Sequence, residues 1–236
     1  MKPIARWTIG NSTKHGYECL ELSIKSFLNF YDCDIFVCYN CKKEKLPSSI
    51  LKYNLIDQFN HLEDMPDPKG VSWKFYPPRL SLDTHEIVID NDIIFKKRIE
   101  EIDLFFNSDI TLMLEDDTRT YGKFLNFIPK EFKINSGIYG MPPNFDLRKY
   151  INFYAGGEWE KNALYENDKS ETFDEQGLVA LALIDYNKYI IIPKTTVTAC
   201  SLQLKFGSAM HFMGLNRSEF HPPYRLYRSL DKKLYL

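Results

Sequence analysis

Two aspartates one residue apart, Asp90 and Asp92, end an apolar run, Ile87-Val88-Ile89, that reads as a buried strand. Inside a strand such a pair would cost several kcal/mol unless paired or neutralised. At a strand's C-terminal edge it reaches the crevice where open α/β sheets bind ligands, and there it can clasp a hard divalent cation through oxygen. A bare Asp-x-Asp is equally compatible with a polar turn after a core strand, so the rest of the chain has to decide. A second acidic cluster, Glu115-Asp116-Asp117, follows another apolar run and can bind a cation or accept hydrogen bonds from a ligand's hydroxyls. Farther on stands His211, followed by Gly214 and Arg217. A neutral imidazole would complete an octahedral site begun by two carboxylates, a donor mix that suits Mn²⁺, with Mg²⁺ as the alternative. Gly214 would let backbone approach a phosphate, and Arg217 would pair with it bidentately.

The elements that must position these residues follow from periodicity. Residues 5–9 read as a first strand that stops at Gly10-Asn11-Ser12-Thr13, and apolar positions at 17, 20, 24, 27 and 28 have helical spacing. Residues 34–39 are again strand-like. Strand, helix and strand at this length make a βαβ unit and predict a parallel sheet with its post-strand loops along one crevice. The remaining expectations are a helix over 73–82 with Pro77-Pro78 in its first turn, a helix over 99–106 and a strand over 109–114. Beyond them come a strand over 133–140 interrupted at Gly137, helices over 144–154 and 178–184, and strands over 189–192 and 195–199. No repeat or linker is visible, so the expectation is one α/β domain with a mixed, mostly parallel sheet.

Whole-chain properties exclude several classes. A net charge of -2 lacks the basic excess of a nucleic-acid footprint. No stretch approaches the roughly 20 apolar residues that span a bilayer. Lys2 and Arg6 stand where a signal peptide would be apolar, so the expected location is the cytoplasm. Five cysteines, an odd number, fit a reducing compartment. Cys38 and Cys41 have metal-ligand spacing but no second pair, which argues for plain thiols over zinc.

Five motifs, taken together, resemble glycosyltransferase family 8, the group of glycogenin and the bacterial lipopolysaccharide galactosyl- and glucosyltransferases. They are Lys74, sixteen residues before the first Asp; Asp90-x-Asp92; Asn135-Ser136-Gly137; Asp174-Glu175-Gln176-Gly177; and His211-Phe212-x-Gly214-x-x-Arg217. The resemblance runs from about Trp7 to Arg217. It implies a GT-A (nucleotide-diphospho-sugar transferase) fold over residues 1–217, a basic and aromatic tail over 218–236, and transfer of a hexose from a UDP-sugar to a glycan or lipid-linked hydroxyl with retention of configuration. By similarity Asp90, Asp92 and His211 hold Mn²⁺. Thr8, Asn11 and Tyr17 fall where the family holds uridine, Lys74, Asp116 and Asn135 around the donor sugar, and Gly214 and Arg217 at the phosphates.

Two positions depart from the family pattern. Glu175-Gln176 stands where the family has Asp-Gln, and Arg217 where it has Lys, keeping the charge but not the point geometry. Glu175 and Gln176 are the candidates beneath the sugar ring. Gln is a poor nucleophile, so front-face displacement with Gln176 positioning is the expected route. The long C-terminal region of the glycogenin branch has no counterpart, so self-glucosylation is not expected. The rival classes are a sugar nucleotidyltransferase, for which Gly10 to Gly16 is too poor in Gly and cations, and a non-catalytic nucleotide-sugar binding module. A haloacid-dehalogenase-type phosphatase would place its Asp on the first strand, followed by Thr. The tail mixes cations with Tyr and Leu and can either dock at the inner face of a membrane or pack on its own domain.

Overall fold

The computed structural model describes residues 1–58, 74, 77–154, 174–199 and 207–212. Strand β1 (Ile4–Ile9) is wholly buried and runs parallel to β2 (Asp34–Tyr39), with α1 (Lys14–Leu28) crossing between them. Thr13 caps α1 by accepting the Gly16 N–H on its Oγ1 at 3.3 Å. Strand β3 (Asn54–Asp57) extends the sheet beyond β2, and β4 (Glu86–Asp90) flanks β1 on the other side, both parallel.

Two strands and two helices complete the second half: α2 (Glu100–Phe106), β6 (Thr111–Glu115), β7 (Ile134–Met141) and α3 (Leu147–Tyr154). Between β4 and α2 lies the three-residue strand β5 (Ile93–Phe95). Helix α4 (Asp174–Asp185) leads to β8 (Tyr189–Ile192). The main sheet has the order β3-β2-β1-β4-β7-β6-β8, in which only β7 is antiparallel to its neighbours. A small second sheet joins β5 to β10 (Ala209–His211) and then β9 (Val197–Ala199).

The pleat divides each strand between two cores. Ala5, Trp7, Ile9, Ile87 and Ile89 pack under α1 and α2 with Phe27, Phe95 and Phe105, and the Trp7–Phe27 and Phe27–Phe95 rings meet edge to face at 5.4 and 5.2 Å. The opposite face puts Val88, Met113, Tyr139 and Met141 against α4. Glu86, Val88 and Asp90 alternate onto that second face. Asp90 is therefore aimed to the side of the sheet where α4 begins.

Three expectations change. Over 77–82 the chain runs as bends rather than helix. Two prolines start it, and Arg79 then spends its guanidinium on the carbonyls of Ser81, Thr84 and Phe145, each at 2.6 Å, which fixes a non-helical path. Strand β7 is continuous through Gly137, but its register on β6 jumps: Met113 faces Tyr139 and Leu114 faces Asn135. Strands β5 and β10, which periodicity does not reveal, exist because they are short and find their partners only in space. Boundaries elsewhere agree with expectation to within a few residues, save that α4 begins at Asp174 and so takes in the Glu175-Gln176-Gly177 motif.

Candidate active site

Strands β1, β2, β4 and β6 all point their C-terminal ends to one edge, and Asp90, Asp92, His211 and Lys74 meet there. Thr8 is buried on β1, in register with Asp90 on β4. Asn91 turns the chain immediately after β4, its Nδ2 donating to Gly16 O at 3.3 Å. Beyond the turn, β5 is pinned to α1: Ser23 Oγ donates to Ile93 O at 2.5 Å and Ser26 Oγ accepts the Phe95 N–H at 3.0 Å. Asp92 is held between these two fixed points.

His211 arrives by strand pairing. It is opposite Ile93 in the antiparallel β5–β10 ladder, and the Phe212 N–H donates to Asp92 O at 2.9 Å. Ligand atoms of Asp90, Asp92 and His211 consequently lie within 4.8 Å of one another, the metal-capable cluster found among the described residues. Gly137 is what makes room for the imidazole. A Cβ there would stand 2.8 Å from His211 Cε1 and 2.8 Å from Asn135 Oδ1.

Electrostatics fit a cation at this point. Asp92 Oδ1 is buried and makes no well-formed hydrogen bond, and His211 Nε2 faces it as an ion-pair partner at 3.3 Å. A buried carboxylate oxygen so weakly satisfied is a place where an ion can bind. Lys74 Nζ sits 2.9 Å from Asp90 Oδ1. Burial pulls the Lys74 ammonium down, but Asp90, Asp92 and Glu175 outweigh it and hold the pKa above its ordinary value. Burial likewise disfavours the imidazolium of His211, and Asp92 with Asp90 overcome it, so this pKa is raised. Burial opposes ionisation of Asp92; attraction to His211 and Lys74 prevails and lowers its pKa. Two carboxylate oxygens and an imidazole nitrogen are a donor set for a divalent ion such as Mn²⁺ or Mg²⁺.

A second group lies on β6 and β7. Asn135 Nδ2 donates to Asp116 Oδ2 at 3.0 Å, and Asp116 Oδ1 accepts the Asp117 N–H at 2.6 Å and the Thr118 N–H at 3.3 Å. Gln176 on α4 is bound to both segments, with Oε1 accepting from Ser136 and Nε2 donating to Thr120. Glu175 is buried and lies within electrostatic reach of Lys74. On the other side, Asn11 is exposed and accepts from Lys45 Nζ at 2.7 Å. Tyr17 is buried, donates to Gly10 O at 3.3 Å, and burial pushes its phenol up to about 12. The structure thus brings together Asp90, Asp92, His211 and Lys74, and separately pairs Asp116 with Asn135. Gly214, Arg217 and the tail lie outside the described residues.

Sequence reasoning missed Thr120 and the buried ion pair Arg6–Glu86, at 3.2 Å. Arg6 also donates to Pro77 O at 2.7 Å, and Glu86 accepts the Leu80 N–H at 2.8 Å, which lays the segment after Lys74 across the sheet. Two charges at strand positions of the inward pattern, Arg6 and Glu86, were the available clue. Thr120 offered none. The four described cysteines, Cys19, Cys33, Cys38 and Cys41, are buried and form no disulfide with one another, and burial pushes the Cys38 thiol up to about 11.

Sheet order, flanking helices and an acidic pair at the end of β4 define the GT-A fold. No protein-family model and no curated protein matches the chain. Solved structures do. Mouse xyloside xylosyltransferase 1, in its apo form, superposes with a TM-score of 0.54 at 10% identity, over 91% of this chain and 99% of that one. The galactosyltransferase LgtC, in complex with donor and acceptor sugar analogues, gives 0.54 at 12% identity, over 89% and 87%. The bifunctional glycosyltransferase WbbM in its apo form gives 0.58 at 10% identity, over 89% of this chain and 46% of that one. At such identities the likeness establishes the fold. Among the described residues no helix is long and apolar enough to cross a membrane.

Proposed function

We propose that this protein is a retaining glycosyltransferase that moves a hexose from a UDP-sugar to a hydroxyl of a glycan or glycolipid, with Mn²⁺ (or Mg²⁺) held by Asp90, Asp92 and His211. The observation that carries the reading is the meeting of those three side chains, with ligand atoms within 4.8 Å of one another, at the crevice edge of a GT-A sheet. The glycosyltransferase neighbours, one of them solved with donor and acceptor sugar analogues, support the same class.

The chemistry needs negative charge neutralised on the departing diphosphate as the bond to the anomeric carbon breaks. A divalent cation bound here would supply a Lewis acid at that oxygen. The chain's own contribution is Lys74, kept protonated beside Asp90, with Arg217 as a second phosphate partner. Thr8, Asn11 and Tyr17 line the side assigned to uridine, and Asp116 with Asn135 offers acceptors and donors to the sugar hydroxyls. Front-face displacement, in which the acceptor hydroxyl attacks from the side the diphosphate leaves, accounts for retention without a covalent intermediate. Residues 1–217 make up the transferase domain in this reading, and the tail 218–236 either packs on that domain or contacts a membrane surface.

The test is thermal shift against a panel of UDP-sugars with and without Mn²⁺, followed by donor hydrolysis. Stabilisation by at least one UDP-sugar only when Mn²⁺ is present, with slow release of UDP, is expected. Absence of any stabilisation would sink the reading, and binding without turnover even with acceptors would make the chain a binding module.

A further inference from the structure

The side-chain amide of Gln176 is fully committed to protein partners. Its Oε1 accepts from the Ser136 N–H at 3.1 Å and Ser136 Oγ at 3.4 Å, while Nε2 donates to Thr120 O at 2.8 Å and Thr120 Oγ1 at 2.9 Å. An amide has two donor hydrogens and one oxygen with two lone pairs. All are used. The two segments they reach are the ones that carry Asp116 and Asn135: Thr120 lies four residues after Asp116, and Ser136 follows Asn135 directly. The Asn135–Asp116 hydrogen bond at 3.0 Å is a second rung between the same segments. Helix α4 comes close enough to make this tie because Gly177 has no side chain; a Cβ there would meet Tyr121 O at 2.4 Å.

We infer that Gln176 is a positioning residue, acting on the donor sugar through the 116–120 loop it ties to β7 rather than by touching the sugar. The inference rests on the UDP-sugar reading and narrows it. With its amide oxygen already accepting two hydrogens, Gln176 is not the group that attacks the anomeric carbon, and its task is to hold the Asp116–Asn135 pair at the crevice. Glu175, adjacent on α4, is the side chain of the motif whose charge contributes, after Asp90 and Asp92, to raising the Lys74 pKa.

Gln176→Ala and Gln176→Glu separate the two roles. In the unliganded protein, amide hydrogen exchange over 116–122 should speed up in both variants, and at Ser136 in the alanine variant, because a carboxylate at 176 still accepts the Ser136 N–H. Unchanged exchange would overturn the tie whatever the donor proves to be. With Mn²⁺, affinity for UDP alone should stay within about twofold of wild type, while kcat/KM for hydrolysis of UDP-glucose and UDP-galactose falls about tenfold or more in the alanine variant, the scale of lost hydrogen bonds.

The pH profile discriminates further. The new carboxylate of Gln176→Glu faces the Thr120 carbonyl and cannot donate to it when ionised, but regains a donor when protonated. Its rate relative to wild type should therefore recover as pH is lowered from about 8.5 to about 5.5; taking the ratio to wild type removes the pH dependence the two proteins share. A relative rate that instead rises with pH, or a glycosyl adduct on residue 176 by mass spectrometry, would overturn the inference and make the residue a direct participant. A wild-type protein that binds neither UDP nor any UDP-sugar would overturn the transferase reading, while the exchange measurement still decides the tie.

Discussion

Asp92 and His211 share a single task at the level of side chains, and each is the other's counter-charge until a cation arrives. Replacing either by Ala removes a ligand and leaves its partner buried. We expect Mn²⁺-dependent UDP binding, read by calorimetry, to fall by more than the roughly 10–100-fold that changes outside the ligand shell cost, with the circular dichroism spectrum preserved. Protonation competes with the ion. The His211 pKa is raised, so in the metal-free protein its contribution to stability is complete below the ordinary value of 6.5 and fades as pH rises through the raised one. Cation binding requires the neutral ring and has the opposite slope. The thermal stabilisation given by a fixed Mn²⁺ concentration should therefore grow between about pH 6 and about pH 8, and a stabilisation that is flat or falls would remove His211 from the ligand set.

Elements deliver those side chains through backbone contacts rather than through their own flexibility. Strand β5 is held by Ser23 and Ser26 of α1, β10 is laid against β5, and β7 passes beneath the imidazole at Gly137. The kink that shifts β7 against β6 puts Asn135 opposite Leu114, next to the loop of Asp116. Gly137→Ala tests this delivery. Its Cβ would need His211 and Asn135 to move by several tenths of an ångström, an overpacking that costs about 1–3 kcal/mol. Both denaturant midpoint and Mn²⁺ affinity should drop; an unchanged affinity would show that β7 does not set the position of His211.

Across the whole molecule, the face of the sheet that packs on α4 also carries a fully buried charge pair. Arg6 and Glu86 are completely buried 3.2 Å apart, and Arg79 closes the group at 3.9 Å from Glu86. Arg6 Nε and Glu86 Oε1 lack hydrogen-bond partners, so the pair is imperfectly satisfied. Breaking it on one side is worse than removing it whole. Arg6→Met should cost about 3–5 kcal/mol in urea unfolding, and Arg6→Met combined with Glu86→Gln should cost less than the single change. A double variant as unstable as the sum of its parts would mean that the two residues act separately. Because Arg6 also grips Pro77 O, three positions after Lys74, the single variant should weaken binding of both UDP and UDP-sugars.

Local periodicity was sufficient for β1, α1, β2, β4, α2 and β8, because each buries a regular apolar face and the sheet accepts such faces in only a few orders. The acidic pair, the histidine and their order along the chain were equally legible, since residue types and their spacing are read directly from the sequence. Periodicity did not say which of them meet; the family resemblance grouped Asp90, Asp92 and His211, as the fold does. Asp92 and His211 are 119 positions apart and are joined by a ladder of three-residue strands too short to leave a periodic trace. The path after Lys74, set by Arg6, Arg79 and Glu86, and the commitment of the Gln176 amide to Thr120 and Ser136 also belong to tertiary structure alone. Hydrogen bonds and buried ion pairs between distant segments depend on distances that sequence spacing does not encode. The residues of a cation site at Asp90 were thus written in the sequence, and its closure by His211 and Gly137 was decided only when the two sheets came together.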